Sequence, residues 1–549
     1  MAQKHFKRTV TCALEAVFFC GILLFSFWIM THTFSYDKQA SSMLIAGKAV
    51  SDFGAHIPLI RSFSMGDNLT RVTRGAVEYP LFPGEPIRYH FLFYMLAGIL
   101  EKLGLRIDWA LNIPSALGFS ALVILLYLLA KRLFHSVHVG ILTVLFFLLN
   151  GSLSFIRFFQ RYPLSQTSVQ DIITNTAFPS FAPWGEGDIS AFWNLNIYTN
   201  QRHLASAFAL ALLFIGILLY IEKLPFKKQI IYIIPEVILL AVMPYFHQPI
   251  LVILAVFMIC YFFVFPRLRV ILCLIGGIGA LFVLPQLLPL LGGLKTFRWN
   301  PGYLVSSPLS PVHILWYWIQ NLGLHFFLIP IGWLIAPARI KKTMLPLFFI
   351  FLIPNLFQFS VEMAGNHKFF NFYLIIGSML SAYVLVRLFS LGNVGKLIAA
   401  IGVAGLVFSG IIDFFPVVND GYLAVRDIPK NDVAAWIRDN TPNDAVFLNS
   451  GYFFHPASLA GRKIFQGWPY FTWSAGYNTG QRDQEMRELY ETTDTALFCS
   501  LINRYHISYI TYQEPPDISI IHFSLSALAS HTTRVYANDT YSISSPLCQ

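Results

Sequence analysis

Charged residues are scarce in this chain. Asp, Glu, Lys and Arg make up only 12% of its 549 residues, whereas 56% are hydrophobic. Soluble domains carry about 25% charged residues, so this composition and a mean hydropathy of +0.59 place most of the chain in a membrane. The net charge of +10 comes from Lys and Arg in short clusters between apolar runs. That is the positive-inside pattern of membrane proteins, and it does not favour nucleic-acid binding.

Cysteine and nucleotide-binding motifs are also lacking. The chain has six cysteines and no CxxC pair, so the sequence predicts neither a zinc site nor a disulfide framework. A bridge between Cys499 and Cys548 stays open, because spacing alone cannot decide it. The absence of a P-loop, a dinucleotide glycine motif and an HExxH motif removes support for a nucleotide-driven pump or a zinc protease.

The apolar runs predict a polytopic α-helical membrane protein with about eleven transmembrane helices. The predicted spans are 11–30, 109–130, 138–154, 204–221, 230–244, 250–264, 270–290, 314–335, 344–359, 370–386 and 396–414. The short stretch 90–105 contains Glu101 and Lys102, and we expect it to be a helix lying in the outer interface. The basic turns then fall inside, which predicts a plasma-membrane protein with a cytoplasmic N-terminus and an extracytoplasmic C-terminus.

A change of composition near residue 417 divides the chain into two predicted domains. Residues 1–416 form the transmembrane domain, with outer loops at about 31–108 and 155–203. Residues 417–549 alternate helical and strand patterns and predict a small α/β domain outside the membrane. In that domain we expect a helix before the strand AVFL, a helix and strand in LFCSLINRYHISYITY, and a strand pair in RVYANDTYSISS.

The first outer loop concentrates chemistry-bearing side chains. Asp52 and His56 are four residues apart, so they share a face if this stretch is helical. An acid near a histidine and several arginines can transfer a proton or bind an anion. Glu85, Arg88 and His90 follow in the same loop. An amphipathic surface helix followed by an ordinary polar loop is the open alternative.

Polar side chains gather at later outer turns as well. They are Arg202, His247, Glu362, His367 and Lys368. Polar groups at membrane depth are costly and usually face a cavity or a partner, so their convergence predicts a site for an anionic substrate. The alternatives are interfacial anchors for Arg202 and Lys368, and a capping or hydrogen-bonding histidine at position 247.

The stretches SDFGAHIPLIRSFSMG and FPGEPIRYHF resemble the first outer loop of multi-spanning glycosyltransferases of the GT-C class. A later span ends in the basic turn AKRLF, and SLAGRKIFQGWPYFTWSAGY is similar to the soluble domain appended to many bacterial members. The resemblance covers the layout of the membrane region, and only the first loop is motif-like. It implies a GT-C-like membrane domain, a polyprenyl-phosphate-linked sugar as donor, and a glycan, lipid or protein as acceptor.

The resemblance also implies residue roles. Asp52 matches the first-loop acid that acts as a general base or positions the acceptor, with His56 orienting it and Glu85 as a further catalytic candidate. The phosphate leaving group requires fixed cations, for which Arg88, Arg202, His367 and Lys368 are candidates. The class often uses a second acid and a divalent metal. Here only Glu186 and Asp188 approach that pattern, as EGD rather than Asp-x-Asp, so dependence on Mg²⁺ or Mn²⁺ is left open.

Two other functions are compatible with the sequence. A membrane transporter or lipid flippase would place ionisable groups within its spans, often in repeats or broken helices, whereas this sequence keeps nearly all of them at span ends. A non-catalytic envelope-assembly protein would not require an acid and a histidine beside the first span. Neither the sugar nor the acceptor can be identified from the sequence.

Overall fold

The computed structural model describes residues 2–291, 297–306, 308–513 and 525–548. Its helices are α1 Ala2–Thr33, α2 Val50–Ser64, α3 Asn68–Val72, α4 Leu92–Lys102, α5 Ile107–Phe134, α6 Val137–Leu148, α7 Ser154–Arg161, α8 Ser168–Ile173, α9 Asn196–Asn200, α10 Leu204–Ile221, α11 Phe226–Gln229, α12 Ile233–Val264, α13 Arg269–Leu291, α14 Pro311–Leu322, α15 His325–Ile335, α16 Ala338–Met344, α17 Pro346–Leu356, α18 His367–Phe389, α19 Gly392–Val418, α20 Asp432–Asn440, α21 Pro456–Leu459, α22 Pro469–Ser474, α23 Thr479–Glu491, α24 Thr495–Tyr505 and α25 Leu525–His531. Its strands are β1 Phe34–Asp37, β2 Ser42–Ala46, β3 Arg298–Trp299, β4 Phe357–Gln358, β5 Tyr422–Arg426, β6 Val446–Leu448, β7 Lys463–Ile464, β8 Ile507–Gln513, β9 Thr532–Ala537 and β10 Tyr541–Pro546.

The chain is a polytopic helical membrane protein. In the described residues, seven helices are long and apolar enough to cross a bilayer, and the bent pair α14–α15 makes an eighth candidate. The prediction of about eleven spans is not confirmed. Helices α6 and α17 have only 12 and 11 residues, fewer than the roughly 20 that a straight span needs. The predicted spans 230–244 and 250–264 form one long helical stretch broken at His247.

The structure divides into two compact units that each draw on distant parts of the chain. The membrane unit contains residues 1–33, 113–288 and 295–421. The loop unit contains residues 34–112, 289–294 and 422–549. The first outer loop therefore folds with the C-terminal segment, whereas the sequence predicted one linear boundary near residue 416.

Helix α18 is the centre of the membrane unit. It packs against α6, α15, α17 and α19. Most of its side chains are buried. Close packing depends on small residues: a Cβ added to Gly332 would lie 2.6 Å from the carbonyl oxygen of Leu380 on α18. A helix that is apolar on all sides belongs inside a bundle, which is where α18 lies.

The loop unit is built on two sheets. Strands β1, β2 and β5 form an antiparallel sheet, which joins the first loop to residues 422–426. The other sheet has the order β7-β6-β8-β10-β9 and is mixed, since β6 runs parallel to β7 and β8 while β10 is antiparallel to β8 and β9. The helices and strands expected from the three C-terminal stretches are confirmed as α20, β6, α24, β8, β9 and β10.

The five-stranded sheet is covered on both faces because successive residues of a strand point to opposite sides. Val446 and Leu448 of β6 pack in a cluster with residues of α23 and α24. Phe447, between them, packs instead in a cluster with Ile437 of α20 and Leu81 of the first loop. The first loop thus forms part of the core that covers this sheet.

Arg61 is the main ionic link within the loop unit. Its side chain on α2 is 3% exposed and lies 2.9 Å from Asp427, which follows β5, and 3.2 Å from Glu101 on α4. Burial raises the pKa of the Glu101 carboxyl, although the positive charge of Arg61 acts in the opposite direction. The guanidinium on α2 therefore binds carboxylates from two distant parts of the chain.

A disulfide joins Cys499 on α24 to Cys548 near the end of the chain. The bond that spacing could not decide is thus present. Structural disulfides persist in oxidising compartments, which bears on the side of the membrane where this unit lies.

His455 is buried and begins a series of hydrogen bonds that reaches strands β8 and β6. Its Nδ1 accepts from the backbone N–H of Ala457 at 3.2 Å, so Nε2 carries the proton and donates to Thr511 Oγ1 at 3.0 Å. The Thr511 hydroxyl in turn donates to the carbonyl of Leu448 at 2.8 Å. Burial lowers the pKa of His455 to about 3.

We expect Arg61→Ala to destabilise the protein by about 3–5 kcal/mol, because it leaves two buried carboxylates without their cation. Thermal unfolding of the full chain in detergent measures the effect. The control is Arg504→Ala, because Arg504 is 59% exposed where it pairs with Glu485, and such a pair contributes at most about 1 kcal/mol. Equal shifts for the two variants would contradict the role given to Arg61.

We expect acid to destabilise the protein partly through His455. Its pKa of about 3 in the folded state lies below the usual value of about 6.5, so the unfolded chain binds the extra proton between these values. This contribution to stability is complete above pH 6.5 and is lost on acidification, by up to roughly tenfold in the unfolding equilibrium per pH unit.

Unfolding midpoints measured at pH 7 and pH 5 test this contribution. His455→Gln should show a smaller loss between the two pH values than the wild type, and His506→Asn, at an exposed histidine with φ of 51°, should match the wild type. An unchanged loss in His455→Gln would refute the assignment.

Candidate functional site

Asp52 lies in the first turn of α2. The stretch is helical, so the condition under which Asp52 and His56 were expected to share a face is met. The Asp52 side chain is half-buried, while residues 53–64 of the helix are buried. A carboxylate at a helix N-terminus is stabilised by the helix dipole. Gly54 lets Phe453 approach, since a Cβ there would lie 2.3 Å from the Phe453 ring. Asp52 thus lies at the partly exposed start of a helix whose residues 53–64 are buried.

His56 is buried one turn further along the same helix. Its Nε2 lies 2.6 Å from the hydroxyl of Tyr94 on α4, and the two rings stack with centroids 4.5 Å apart. The packing of α2 against α4 therefore fixes the orientation of the imidazole.

Tyr89 connects this pair to Asp52. Burial raises the pKa of Tyr89 well above its usual value, and the negative charge of Asp52 raises it further. Tyr89 therefore stays protonated, and its hydroxyl can donate a hydrogen bond. The residue lies within electrostatic reach of the Asp52 carboxylate. The Tyr89 ring also lies 3.7 Å from that of His90, which is buried, and 6.4 Å from that of Tyr94.

Glu85 and Arg88 form a second group at the end of the first loop. Arg88 Nη2 lies 3.0 Å from the Glu85 carboxylate, and its guanidinium sits over the ring of Tyr477 at 4.8 Å. The Tyr477 hydroxyl accepts from the Arg88 backbone N–H and donates to the carbonyl of Pro86. These contacts attach the loop to the C-terminal segment and place a cation beside the Glu85 carboxylate.

The membrane unit brings three of the predicted side chains near one another, His247, His367 and Lys368, together with His203. The His203 and His247 rings stack with centroids 5.2 Å apart, and both residues are fully buried. His247 also interacts electrostatically with His367 and Lys368. Its backbone is extended, with φ −170° and ψ 104°, and interrupts α12. The break is what turns the imidazole toward the ends of α10 and α18.

Arg202 is fully buried and binds protein oxygens. It donates to the carbonyls of Thr199 at 2.6 Å and Met30 at 3.2 Å, and to the Thr33 hydroxyl at 2.8 Å. These contacts join the end of α1 to the α9–α10 corner. The expectation that Arg202 also binds an anion stays a prediction.

His367 begins α18 and is held on two sides. Its Nδ1 lies 2.7 Å from Asn371 Oδ1, and its ring stacks on Phe192 at 3.8 Å. Asn371 in turn donates to the carbonyl of Phe192. Glu362, just before this helix, lies within electrostatic reach of Tyr303.

A small cavity of about 30 Å³ lies beside Asn371 in the membrane unit. Asn150, Trp193, Asn321 and His325 are among its lining residues. This volume suits one or two water molecules and cannot hold a sugar.

The side chains that could hold a metal differ from the sequence expectation. Glu186 pairs with Arg161 and Asp188 with Arg157, both on exposed surface, so the EGD carboxylates already have cationic partners. The buried imidazoles of His203 and His247 are metal-ligating types and suit Zn²⁺ better than the expected Mg²⁺ or Mn²⁺. The positive charge of Lys368, within electrostatic reach of His247, favours binding of an anion over a metal cation at these histidines.

Known structures resemble this chain over most of its length at low identity. ArnT from Cupriavidus metallidurans bound to undecaprenyl phosphate gives a TM-score of 0.49 at 11% identity, covering 96% of this chain and 97% of that one. The archaeal oligosaccharyltransferase AglB from Archaeoglobus fulgidus, in complex with an inhibitory peptide and a dolichol-phosphate, gives 0.48 at 12%, covering 91% and 70%. The same Archaeoglobus fulgidus oligosaccharyltransferase in complex with Zn and sulfate gives 0.48 at 13%, covering 90% and 68%.

No protein-family model and no curated protein sequence matches the chain. At this level of similarity we infer neither substrate nor site residues from these proteins.

Sequence reasoning missed three side chains that organise the candidate site. Tyr89 and Tyr94 lie in the aromatic run RYHFLFY, which reads as part of an apolar helix. Asn371 follows His367 by four residues, a spacing that places both on one helix face. The i, i+4 spacing was a usable signal for Asn371, whereas the tyrosines needed the α2–α4 packing.

We expect Tyr94→Phe to lower stability by about 1–3 kcal/mol, because it leaves a buried imidazole nitrogen without its hydroxyl partner. Thermal unfolding of the full chain measures the loss. Tyr162→Phe removes a hydroxyl from a residue that is 40% exposed and should change the midpoint little. If Tyr94→Phe were equally silent, the hydrogen bond to His56 would be unimportant.

Proposed function

We propose that this protein is an integral-membrane glycosyltransferase that moves a sugar from a polyprenyl-phosphate carrier to an acceptor hydroxyl, with Asp52 as general base. The observation that carries the proposal is the setting of Asp52. It is a half-buried acid at the start of an enclosed helix, with Tyr89 in electrostatic reach and a fixed histidine one turn away. The sequence resemblance to the GT-C class supplies the type of reaction.

The chemistry follows from this setting. Asp52 removes the proton of the acceptor hydroxyl while its oxygen attacks the anomeric carbon of the donor sugar. The bond between that carbon and the phosphate oxygen breaks, and polyprenyl phosphate leaves with the bonding electrons. Tyr89 and His56 position the carboxylate.

The membrane unit, taken by itself, carries side chains that suit a phosphate group. His247, His367 and Lys368 combine buried imidazoles with a cation, and such preorganised donors stabilise developing negative charge where water is excluded. In this proposal Arg202 supports the cluster by holding the end of α1. A divalent metal would use imidazole donors here, and no step above depends on it.

The catalytic side is proposed to be the outer face of the plasma membrane, with the loop unit in the same compartment. The Cys499–Cys548 bond supports this orientation, because structural disulfides are rare in the reducing cytosol. The basic residues near the N-terminus agree with a cytoplasmic N-terminus.

A transporter or lipid flippase is the second candidate, and one observation favours it. Glu236 lies within the apolar α12, is fully buried, and has no hydrogen-bond partner among the described residues. Buried ionisable groups within spans mark ion or substrate pathways in transporters. Uptake of polyprenyl-phosphate sugar into vesicles that is lost in Glu236→Gln, without release of polyprenyl phosphate, would establish this alternative.

We expect Asp52→Asn to reduce sugar transfer by roughly 10²–10⁴-fold, the usual contribution of a general base. Purified protein is incubated with undecaprenyl-phosphate sugars and candidate acceptors, with and without Zn²⁺, and the release of undecaprenyl phosphate is followed. Asp539→Asn makes the same charge change at an exposed residue and should retain full activity. Full activity in Asp52→Asn would keep the class and move the base to Glu85 or Glu362.

A further inference from the structure

An open pocket of about 420 Å³ lies at one end of the membrane unit. Its walls come from three places in the chain: Glu222 after α10, residues 264–267 where α12 ends, and Ala338, Arg339 and Lys342 of α16. Glu222 follows α10, whereas His203 precedes it, and the 18 residues of that helix span about 27 Å. The pocket is therefore remote from the histidines of the candidate site.

Contacts between the walls fix the shape of the pocket. The hydroxyl of Tyr261, near the end of α12, donates to the carbonyl of Thr343 on α16 at 3.1 Å. Arg339 Nη2, also on α16, lies 2.6 Å from the Glu222 carboxylate after α10. The pocket is thus formed by packed elements that are joined to one another.

The pocket has an excess of positive charge. Three cations line it, Arg267, Arg339 and Lys342, together with the single acid Glu222. Arg339 pairs with that acid, whereas Arg267 and Lys342 have no acidic partner among the described residues. Two positive charges therefore stay uncompensated beside each other. Arginine and lysine in such a setting bind the oxygens of a phosphate group.

The neighbouring cations of the same turns make different contacts. Arg269 donates to the carbonyl of Phe262 at 3.1 Å, and its guanidinium lies 5.7 Å from the centre of the Phe262 ring. Lys341 lies 5.7 Å from the centre of the Trp333 ring. Neither Arg269 nor Lys341 lines the pocket. The protein itself therefore uses these two cations, which separates them from Arg267 and Lys342.

The rest of the lining identifies the kind of anion. Val264, Phe265 and Pro266 give the pocket an apolar wall beside its cations. Helix α10 is an apolar candidate span, and its length of about 27 Å matches the hydrocarbon core of a bilayer. A pocket at its end lies at the level of the lipid headgroups. An anionic phospholipid presents a phosphate followed by acyl chains there, and basic pockets between transmembrane helices bind such headgroups.

We propose that this pocket binds the headgroup of an anionic phospholipid. Arg267, Arg339 and Lys342 surround the lipid phosphate, and the apolar wall at 264–266 contacts the first carbons of the acyl chains. Free phosphate would engage the same cations but would leave the apolar wall uncovered. The site lies at the opposite end of α10 from His203, and it does not depend on the proposed reaction.

Native mass spectrometry of the delipidated full chain in detergent tests the site. The protein is titrated with phosphatidylglycerol and, separately, with phosphatidylcholine, whose choline group cancels the phosphate charge. Inorganic phosphate is added as a competitor in a third titration. The pocket variants are Arg267→Gln and Lys342→Gln. Arg269→Gln and Lys341→Gln are matched controls, because they remove the same charge from the same turns outside the pocket. Thermal unfolding verifies that each variant is folded.

We expect phosphatidylglycerol to bind more tightly than phosphatidylcholine and to resist displacement by an equal concentration of inorganic phosphate. Each pocket variant should weaken phosphatidylglycerol binding roughly fivefold, the effect of one cation near an anionic headgroup, and the controls should match the wild type. Equal weakening in all four variants would overturn the proposal, because the affinity would then come from the general positive charge of this end.

Three other results would also overturn it. Wild-type affinity in both pocket variants would place the lipid elsewhere. Equal binding of phosphatidylcholine would remove the role of the cations. Displacement by inorganic phosphate would make the site one for a free anion. Two pocket variants keep the test decisive if one of them fails to fold.

Discussion

The guanidinium of Arg61 on α2 contacts carboxylates that reach it from two other parts of the chain, Glu101 on α4 and Asp427 after β5. A buried charge without partners costs several kcal/mol, so these three segments must meet for the loop unit to fold. The contact holds α2 in the core, and Asp52 lies at the open end of that helix. The position of the proposed base therefore depends on a residue 366 positions away from Arg61.

Buried polar groups in the membrane unit also need partners, and the hydrocarbon of a bilayer makes an unpaired polar group more costly. Asp413 and Ser409 lie in an otherwise apolar span, where they satisfy the backbone and side chain of residues 150–155. His247 lies where α12 is broken, which brings its ring against His203. In both places a stretch of non-helical backbone lies beside polar side chains: residues 150–155 beside Ser409 and Asp413, and the break in α12 at His247 itself. Glu236 has no hydrogen-bond partner among the described residues, which is why it marks the second candidate function.

Sequence patterns predicted local features of this protein well. The apolar runs located the membrane helices, and the alternation after residue 417 predicted α20, β6, α24, β8, β9 and β10. The four-residue spacing placed Asp52 and His56 on one helix, and the outer-turn residues His247, His367 and Lys368 do come together.

The number of spans and the division into two units were harder to predict from the sequence. Hydropathy does not distinguish a broken helix from two spans, so the stretch around His247 was counted twice. Short helices such as α6 and α17 also count as spans when flanking apolar loop residues extend the run. The pairing of the first loop with the C-terminal segment rests on Arg61 with Asp427 and on β2 with β5. No local pattern encodes partners so far apart, and the aromatic partners Tyr89 and Tyr94 were hidden for the same reason.

The most direct test of the central claim is an experimental structure of the purified protein with a non-hydrolysable polyprenyl-phosphonate sugar and an acceptor. The account predicts the acceptor hydroxyl within hydrogen-bond reach of the Asp52 carboxylate, roughly 2.6–3.2 Å, with Tyr89 beside it. A sugar bound away from the start of α2, with Asp52 free in solvent, would contradict the account.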